Sequence, residues 1–591
     1  MSNEIIESVN MTEGLNVIQK FPQYSFPKCN RPDIRVACIL DTFSYECFKY
    51  ECILEQLHRS TWRFQIDQFK PHFLFVESAW RGEKGSWQNQ LTDLEKKPRA
   101  AIMDVIGYCK KNNIKTVFWC KEDPSNFDHF IETAKLFDYI FTTDAHCIEK
   151  YKKAGSTDNV FVLPFAAQPM IHNPVHSTSW NKKNIAFAGT WYTKKYPERS
   201  KQMEMIFKVA MELGLDIFDR NFEESINSIK YPEKYNPYIV GGLDYVNMVK
   251  AYKLYKVFLN VNSITDSPTM FSRRVFELLA CGTNVVSTYS KGIADLFSGI
   301  VPICQTEEEV EQQLQMLLQH DQYRERLSLL GIRSVFSKHL YRHRFSEILQ
   351  KIGLSGINEE PVRGVSIITC TNRSHSMDLV FQNYENQVWP NKELIIILNK
   401  DGMNLEEWRN KAKMYENVSV FQIPEHFNLG KCFNFAVDNA RYPFVSKFDD
   451  DNYYAPNFLT DLMHAFEYTD TDIVGKGTYY SYLEGMKVLA LRFPNRENQF
   501  VNLISGSAMI VKKSIFNSVR FPEDVRRGSD TIFIKDCISK NFKIYSTDKY
   551  NYVCIRGSNV EEHTWKIEDI DFLRKCSIVA YTEDYKTHVI L

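Results

Sequence analysis

The residues with the most chemistry in them are Asp449, Asp450 and Asp451, which end the short apolar run Val445-Ser446-Lys447-Phe448 and precede Asn452. Three adjacent carboxylates repel one another and favour protonation, so a bound cation is the natural way to keep them ionised. An acidic triplet is also a common solvated turn, and Asn452 with Pro456 nearby suits a turn. Two flanking features favour a site. Upstream, the buried-strand pattern Gly364 to Cys370 ends in the polar loop Thr371-Asn372-Arg373; downstream, Asp530 follows Gly528 and Ser529. Strands that end in polar loops are how an open α/β sheet presents a ligand at its carboxyl edge. The chemistry such a set suits is metal-assisted handling of a diphosphate.

Residues 363–591 resemble a family 2 glycosyltransferase of GT-A fold. The resemblance rests on Thr371-Asn372-Arg373 as the opening nucleotide loop, on Gln387 to Ile397 as the second helix and strand, and on Asp449-Asp450-Asp451 as the D-x-D. It implies that Asp449 and Asp451 hold Mn²⁺ or Mg²⁺ on the diphosphate of a nucleotide-sugar donor, a UDP- or GDP-sugar. It also implies that Asp530 deprotonates the acceptor hydroxyl and that His563, in Glu561-Glu562-His563, completes the metal shell. Thr371, Asn372, Arg373, Asn399, Asp401, Lys431, Asp449 and Asp450 are the expected donor-side residues. The double aspartate usual after the second strand is replaced by Leu398-Asn399-Lys400-Asp401-Gly402, which leaves the nucleobase open. Ile504 to Met509 resembles the acceptor loop, where Gly506 would let a sugar approach closely.

At 591 residues the chain is too long for one core and implies about three to four domains. Apolar residues at 44% and charged residues at 25% suit globular cores, and a net charge of −1 argues against a nucleic-acid partner. The 14 cysteines fall singly, without a C-x-x-C pair or zinc spacing, and are expected mostly in cores. The acidic amino terminus and the lack of any run of ~18 apolar residues lead us to expect a cytoplasmic protein without a transmembrane segment.

Before the acidic triplet, short apolar runs alternate with amphipathic stretches: Val36–Leu40, a helical stretch to His58, Phe73–Val76, Thr116–Trp119, Tyr139–Phe141 and Val160–Leu163. A second set follows at Asn184–Thr190, Leu215–Phe218, Val257–Val261 and Asn284–Ser287. Such spacing predicts parallel sheets covered on both faces. The expected layout is a tail over 1–30, Rossmann-like domains over 31–177 and 178–352, a linker over 353–362 and the final domain over 363–591. The fold class expected is α/β, with two Rossmann-like domains in a GT-B arrangement and then a GT-A domain with a mostly parallel central sheet.

Residues 31–350 are similar to the CgeB-like spore-maturation glycosyltransferases, through Phe187-Ala188-Gly189-Thr190, Asn260-Val261-Asn262 and Pro268 to Gly282. Gly189 and Thr190 suit backbone contact with a phosphate, the Arg273-Arg274 pair a diphosphate fork, and Glu277 the ribose hydroxyls. A plain tight turn and an internal helix ion pair are the alternatives. Thr269 stands where retaining relatives often carry a second Glu. Glu77, Glu122 and Asp123 sit just past strands, as acceptor-side acids or as ordinary strand-end polarity. The expectation overall is a two-module hexosyltransferase-class enzyme, its last module inverting and metal-dependent, acting on a glycan or surface-polymer acceptor. The alternative is catalysis in the last module alone, with a glycan-binding or scaffold role for the first 350 residues.

Overall fold

The computed structural model describes residues 16–82, 85–94, 100–192, 195–223, 229–356, 362–525, 527–558 and 567–591. The chain divides into two compact units, one of residues 1–174 with 181–359 and one of residues 175–180 with 360–591. Among the described residues no helix is long and apolar enough to cross a membrane. The cysteines other than Cys29, Cys554 and Cys576 are buried as free thiols.

In the first unit, β1 (Arg31–Ile39), β2 (Cys52–Gln56), β3 (Phe73–Glu77), β4 (Lys115–Cys120), β5 (Tyr139–Thr142) and β6 (Val160–Val162) form one sheet in the order β2-β1-β3-β4-β5-β6. Every pair in it is parallel. A second parallel sheet has the order β12-β11-β10-β7-β8-β9. It is built from β7 (Lys183–Gly189), β8 (Leu215–Asp219), β9 (Ile239–Gly241), β10 (Tyr255–Asn260), β11 (Asn284–Thr288) and β12 (Ile303–Cys304). Strands β3 and β11 are buried along their whole length, as continuous apolar runs in a doubly covered sheet require.

One difference from the sequence reading is informative. The stretch to His58, read as helix, contains only the helix Thr42–Phe48 and then β2, an edge strand whose register on β1 is set by Cys52 to Gln56. Thr269 joins the two sheets: its Oγ1 accepts from the Ala145 N–H at 2.9 Å and donates to the Thr143 carbonyl at 2.8 Å. The last helix of the unit, Tyr341–Lys351, returns to the first sheet through Arg344, which donates to the carbonyls of Pro164 and Phe165 at 2.9 and 3.1 Å.

In the second unit, β13 (Val365–Thr371), β14 (Lys392–Leu398), β15 (Val418–Gln422) and β16 (Phe444–Lys447) form the parallel set β15-β14-β13-β16. The sheet continues β22-β18-β23-β21, with β18 (Ile473–Gly475), β21 (Gln499–Phe500), β22 (Met509–Lys512) and β23 (Ile544–Ser546), and β22 runs antiparallel to both neighbours. A smaller sheet has the order β17-β24-β19-β20-β25, from β17 (Tyr453–Tyr454), β19 (Tyr479–Leu483), β20 (Val488–Arg492), β24 (Tyr552–Arg556) and β25 (Cys576–Tyr581). The carboxyl ends of β13, β14 and β16 are followed by Arg373, Asn399 and the acidic triplet. The elements are mixed α/β with mostly parallel, Rossmann-like sheets, as the apolar runs predict.

The helix Leu429–Asp438 packs on this sheet and clamps the chain at Phe521 through Asn434, which accepts from the Phe521 N–H at 3.0 Å and donates to its carbonyl at 2.9 Å. Gly430 is what allows the approach, because a Cβ there would lie 1.9 Å from the Pro522 carbonyl oxygen. Helix propensity alone would reward Gly430→Ala by ~1 kcal/mol. Overpacking against backbone costs about 1–3 kcal/mol or more and should win. We expect Gly430→Ala to lower the melting temperature by several degrees in a calorimetric scan; an unchanged or raised midpoint would mean that Pro522 yields.

Candidate active site

Lys447, the last residue of β16, is almost fully buried, with 5% of its side chain exposed. Its ammonium donates to Asp449 Oδ1 at 2.5 Å and to Asp530 Oδ2 at 2.9 Å. Burial disfavours the ammonium, but Asp449 and then Asp530 outweigh it, so the Lys447 pKa is raised. The turn that carries the acids is held by stacking: the Phe448 and Tyr454 rings lie 3.7 Å apart and 3° from parallel. The Asp449 N–H donates to Tyr454 Oη at 2.8 Å, and that hydroxyl donates to the Ser507 carbonyl at 2.7 Å.

The other two acids face the opening loop of β13. Thr371 Oγ1 donates to Asp450 Oδ2 at 2.5 Å, while Arg373 bridges Asp450 at 3.1 Å and Asp451 at 2.8 Å. Burial, and then repulsion from Asp451, lift the Asp450 pKa. Burial opposes the charge on Arg373, yet Asp450 and Asp451 more than restore it. Asp451 is the most open of the three, 43% exposed against 13% for Asp450 and 32% for Asp449. Thr371, Arg373, Asp449, Asp450, Asp451 and Asp530 therefore form one connected cluster, with Lys447 as the link that sequence reading missed.

Asp530 lies in the first turn of the helix Ser529–Ser539, after Gly528 at φ 75°. Its Oδ2 is taken by Lys447, and its Oδ1 is buried without a hydrogen-bond partner. A buried carboxylate oxygen without a partner is an unsatisfied acceptor, a costly state that structures keep where a function needs it. Burial raises the Asp530 pKa and Lys447 works against that rise. Gly506 fits a different purpose from the one expected: a Cβ there would lie 2.4 Å from Asp530 Cβ, so the missing side chain makes room for Asp530.

The remaining expected residues are less tightly gathered. Asn372 is exposed beside Arg373. Asn399 meets β13 through its backbone, its N–H donating to the Thr371 carbonyl at 2.8 Å, while its side chain donates to the Pro424 carbonyl at 3.0 Å. The Asp401 carboxylate accepts from the Glu425 N–H at 3.2 Å, and Lys431 pairs with Glu523 at 3.3 Å. Neither touches the acidic triplet. His563 lies outside the described residues, as do residues 1–15 of the expected tail and 357–361 of the expected linker.

In the first unit a cavity of about 1490 Å³ is lined from both sheets, by Asp41, Trp80, Lys121, Glu122, Gly189, Thr190, Arg220, Arg273 and Arg274 among others. Arg274 donates to the Ala188 carbonyl at 2.6 Å and leaves its buried Nε without a partner. Arg199 donates to the Thr190 carbonyl at 2.8 Å. Arg199, Arg220 and Arg274 have no carboxylate within ion-pair distance among the described residues, and burial lowers the pKa of Arg199 and Arg220. Cations crowded this way around the Gly189-Thr190 turn favour an anionic ligand.

Glu277 is not turned toward that cavity as a ribose contact would require. It is fully buried, ion-paired to Arg273, and accepts from Tyr252 at 2.8 Å and Tyr245 at 3.2 Å. Burial pushes its pKa up, but Arg273 outweighs this and holds it low. Arg273 also lies over the Phe43 ring at 3.9 Å, so this pair is part of the packing that shapes the cavity wall. Asp123 is committed as well: it is buried and accepts from Thr142 at 2.6 Å and Tyr151 at 3.0 Å. Glu77 is fully buried and paired to Lys121 at 3.0 Å, and Glu122 alone of these three acids lines the cavity.

The Gly506 geometry yields a test. Gly506→Ala should displace the Asp530 carboxylate and lower donor-sugar turnover about 10²-fold, the scale of a ~1 Å misplacement. Nucleoside diphosphate affinity in a calorimetric titration should stay within about threefold of the parent on that same account. Undiminished turnover would show that Asp530 does not depend on the vacancy at Gly506.

Comparison with known proteins agrees with this division. Residues 223–350 match the family model described as glycosyl transferase-like, and residues 366–514 match glycosyl transferase family 2. No curated protein matches. Among solved structures, Staphylococcus aureus TarS 1-349 in complex with UDP-GlcNAc is 18% identical, with a TM-score of 0.28, covering 36% of this chain and 64% of that one. A mannosyltransferase, PcManGT from Pyrobaculum calidifontis in complex with GDP-Man and Mn²⁺, is 14% identical, with a TM-score of 0.25, covering 32% and 56%. The matched stretch is less than two thirds of either structure's own length. Likenesses of this size leave the site to be understood from the chain itself. By its family models, the chain carries two glycosyltransferase-type segments, one in each unit.

Proposed function

We propose that this chain is a two-module glycosyltransferase that uses nucleotide-sugar donors, with modules over 31–352 and 363–591 joined near 353–362. The observation that carries the reading is Asp530: one carboxylate oxygen is fixed by Lys447 and the other is buried and bare, in the same cluster as Asp449 and Asp451.

In the second module the Asp530 carboxylate accepts the proton of the acceptor hydroxyl as the acceptor oxygen bonds to the anomeric carbon. The bond from that carbon to the diphosphate breaks, and its electron pair leaves with the nucleoside diphosphate. One base and no covalent intermediate give inversion. Arg373 and Thr371 hold the acidic turn beside the donor loop and keep Asp450 out of the acceptor's path.

Asp449 and Asp451 supply hard oxygen donors, and no group of three or more His, Cys, Asp or Glu able to hold a metal occurs among the described residues. That donor set fits a Mg²⁺ or Mn²⁺ ion sharing its shell with diphosphate oxygens and water rather than an all-protein cage. Bound there, the ion would offset the charge that develops on the leaving diphosphate. In the first module, Arg199, Arg220, Arg274 and the Gly189-Thr190 turn support a second donor diphosphate site. The acceptor class we propose is a glycan or surface polymer.

The test pairs two variants and a chelator, reading hydrolysis of a panel of UDP- and GDP-sugars with water in place of the acceptor. Asp530→Asn keeps shape but cannot take the proton, so turnover should fall about 10²- to 10⁴-fold with nucleotide affinity nearly unchanged. Asp451→Asn should cost both affinity and rate, and EDTA should abolish turnover until Mn²⁺ or Mg²⁺ is restored. Full activity after chelation would remove the metal. Nucleotide binding lost equally in both variants would make Asp530 a donor ligand and leave the base elsewhere.

A further inference from the structure

A lysine at the end of a buried central strand is costly unless something needs its charge. Lys447 is spent on two carboxylates that, on the reading above, belong to opposite sides of the reaction: Asp449 on the donor side and, 83 residues from Lys447, Asp530 on the acceptor side. Its grip on Asp530 is one-sided, taking Oδ2 and leaving Oδ1 bare. No other described residue hydrogen-bonds the Asp530 carboxylate, and the missing side chain at Gly506 leaves room for Asp530 Cβ and Oδ2 close against the backbone. Without the ammonium, the partly exposed carboxylates of Asp449 and Asp530 would face each other with no cation between them, and Asp530 would be free to rotate out of its place.

We propose that Lys447 is the positioning residue of the second module: it fixes the Asp530 carboxylate by Oδ2 and holds that base at a set distance from Asp449. The proposal rests on the reading of Asp530 as base. Asp449 has further supports, its N–H on Tyr454 at 2.8 Å and Asn452 Nδ2 at 3.4 Å from its Oδ2, so losing Lys447 should disturb Asp530 far more than the donor side.

The test is a double-mutant cycle on the full-length protein, reading donor-sugar turnover together with calorimetric titration of UDP and GDP in Mn²⁺. Lys447→Met should lower kcat about 10²-fold while nucleotide affinity stays within about threefold, and Lys447→Arg should recover kcat to within about tenfold of the parent. In the Asp530→Asn background, Lys447→Met should cost no more than about threefold further, because the residue it positions has gone. Lys447→Gln, which keeps length and a donor without the charge, replaces the Met variant if that one melts early. Four outcomes overturn the proposal: parental kcat in Lys447→Met and Lys447→Gln, losses that multiply in the double variant, kcat that Lys447→Arg fails to restore, or nucleotide affinity falling in step with kcat. Parental kcat in Asp530→Asn instead overturns the base reading itself.

Discussion

The constraint on which the second unit's site depends is the repulsion among partly buried acids at the end of β16. Asp449, Asp450, Asp451 and Asp530 converge there, and two cations divide the work of keeping them together. Lys447 stands between Asp449 and Asp530, and Arg373 between Asp450 and Asp451. Each cation comes from a different strand end, β16 and β13, so the parallel pairing of those strands is what brings the charges into register. The stacked Phe448 and Tyr454 rings then fix the turn that would otherwise relax outward.

The first unit meets a related problem with the sign reversed. Around the Gly189-Thr190 turn the excess is cationic, and Arg199 and Arg274 spend hydrogen bonds on backbone carbonyls instead of carboxylates. The acids that would have neutralised them are committed elsewhere: Glu277 to Arg273, Tyr245 and Tyr252, and Glu77 to Lys121. A positive surface without carboxylate partners suits a diphosphate, whereas the acidic turn of the second unit suits a cation with a diphosphate on its far side.

Much of this was legible in the sequence because parallel strands covered on both faces read as continuous apolar runs, and polar residues at their ends mark the carboxyl edge. Thr371, Arg373 and the acidic triplet are legible that way, whereas Asp530 stands out as an acid after a glycine and takes its role from the family resemblance. What escaped notice depended on contacts distant in sequence. Lys447 reads as a stray charge in a strand until Asp530 is seen beside it; for Glu277 the internal helix ion pair, the alternative reading, is what the structure shows with Arg273, and the tyrosines Tyr245 and Tyr252 are what the sequence does not reveal. Gly506 shows that backbone room can serve a side chain as well as a sugar: the sequence marks the glycine but not its neighbour Asp530. The edge strand β2 was taken into the preceding helix because its burial is only partial and its apolar run is short.

The central claim is that the carboxylates at the end of β16 are where the donor diphosphate and its cation are held. The most direct measurement is an anomalous difference map from crystals of the full-length protein grown with Mn²⁺ and UDP or GDP. The account predicts a manganese peak bonded to Asp451, with Asp449 beside it and diphosphate oxygens completing its shell. A nucleotide bound in the second unit with no manganese at these carboxylates, or with Lys447 and Arg373 alone against the phosphates, would contradict it.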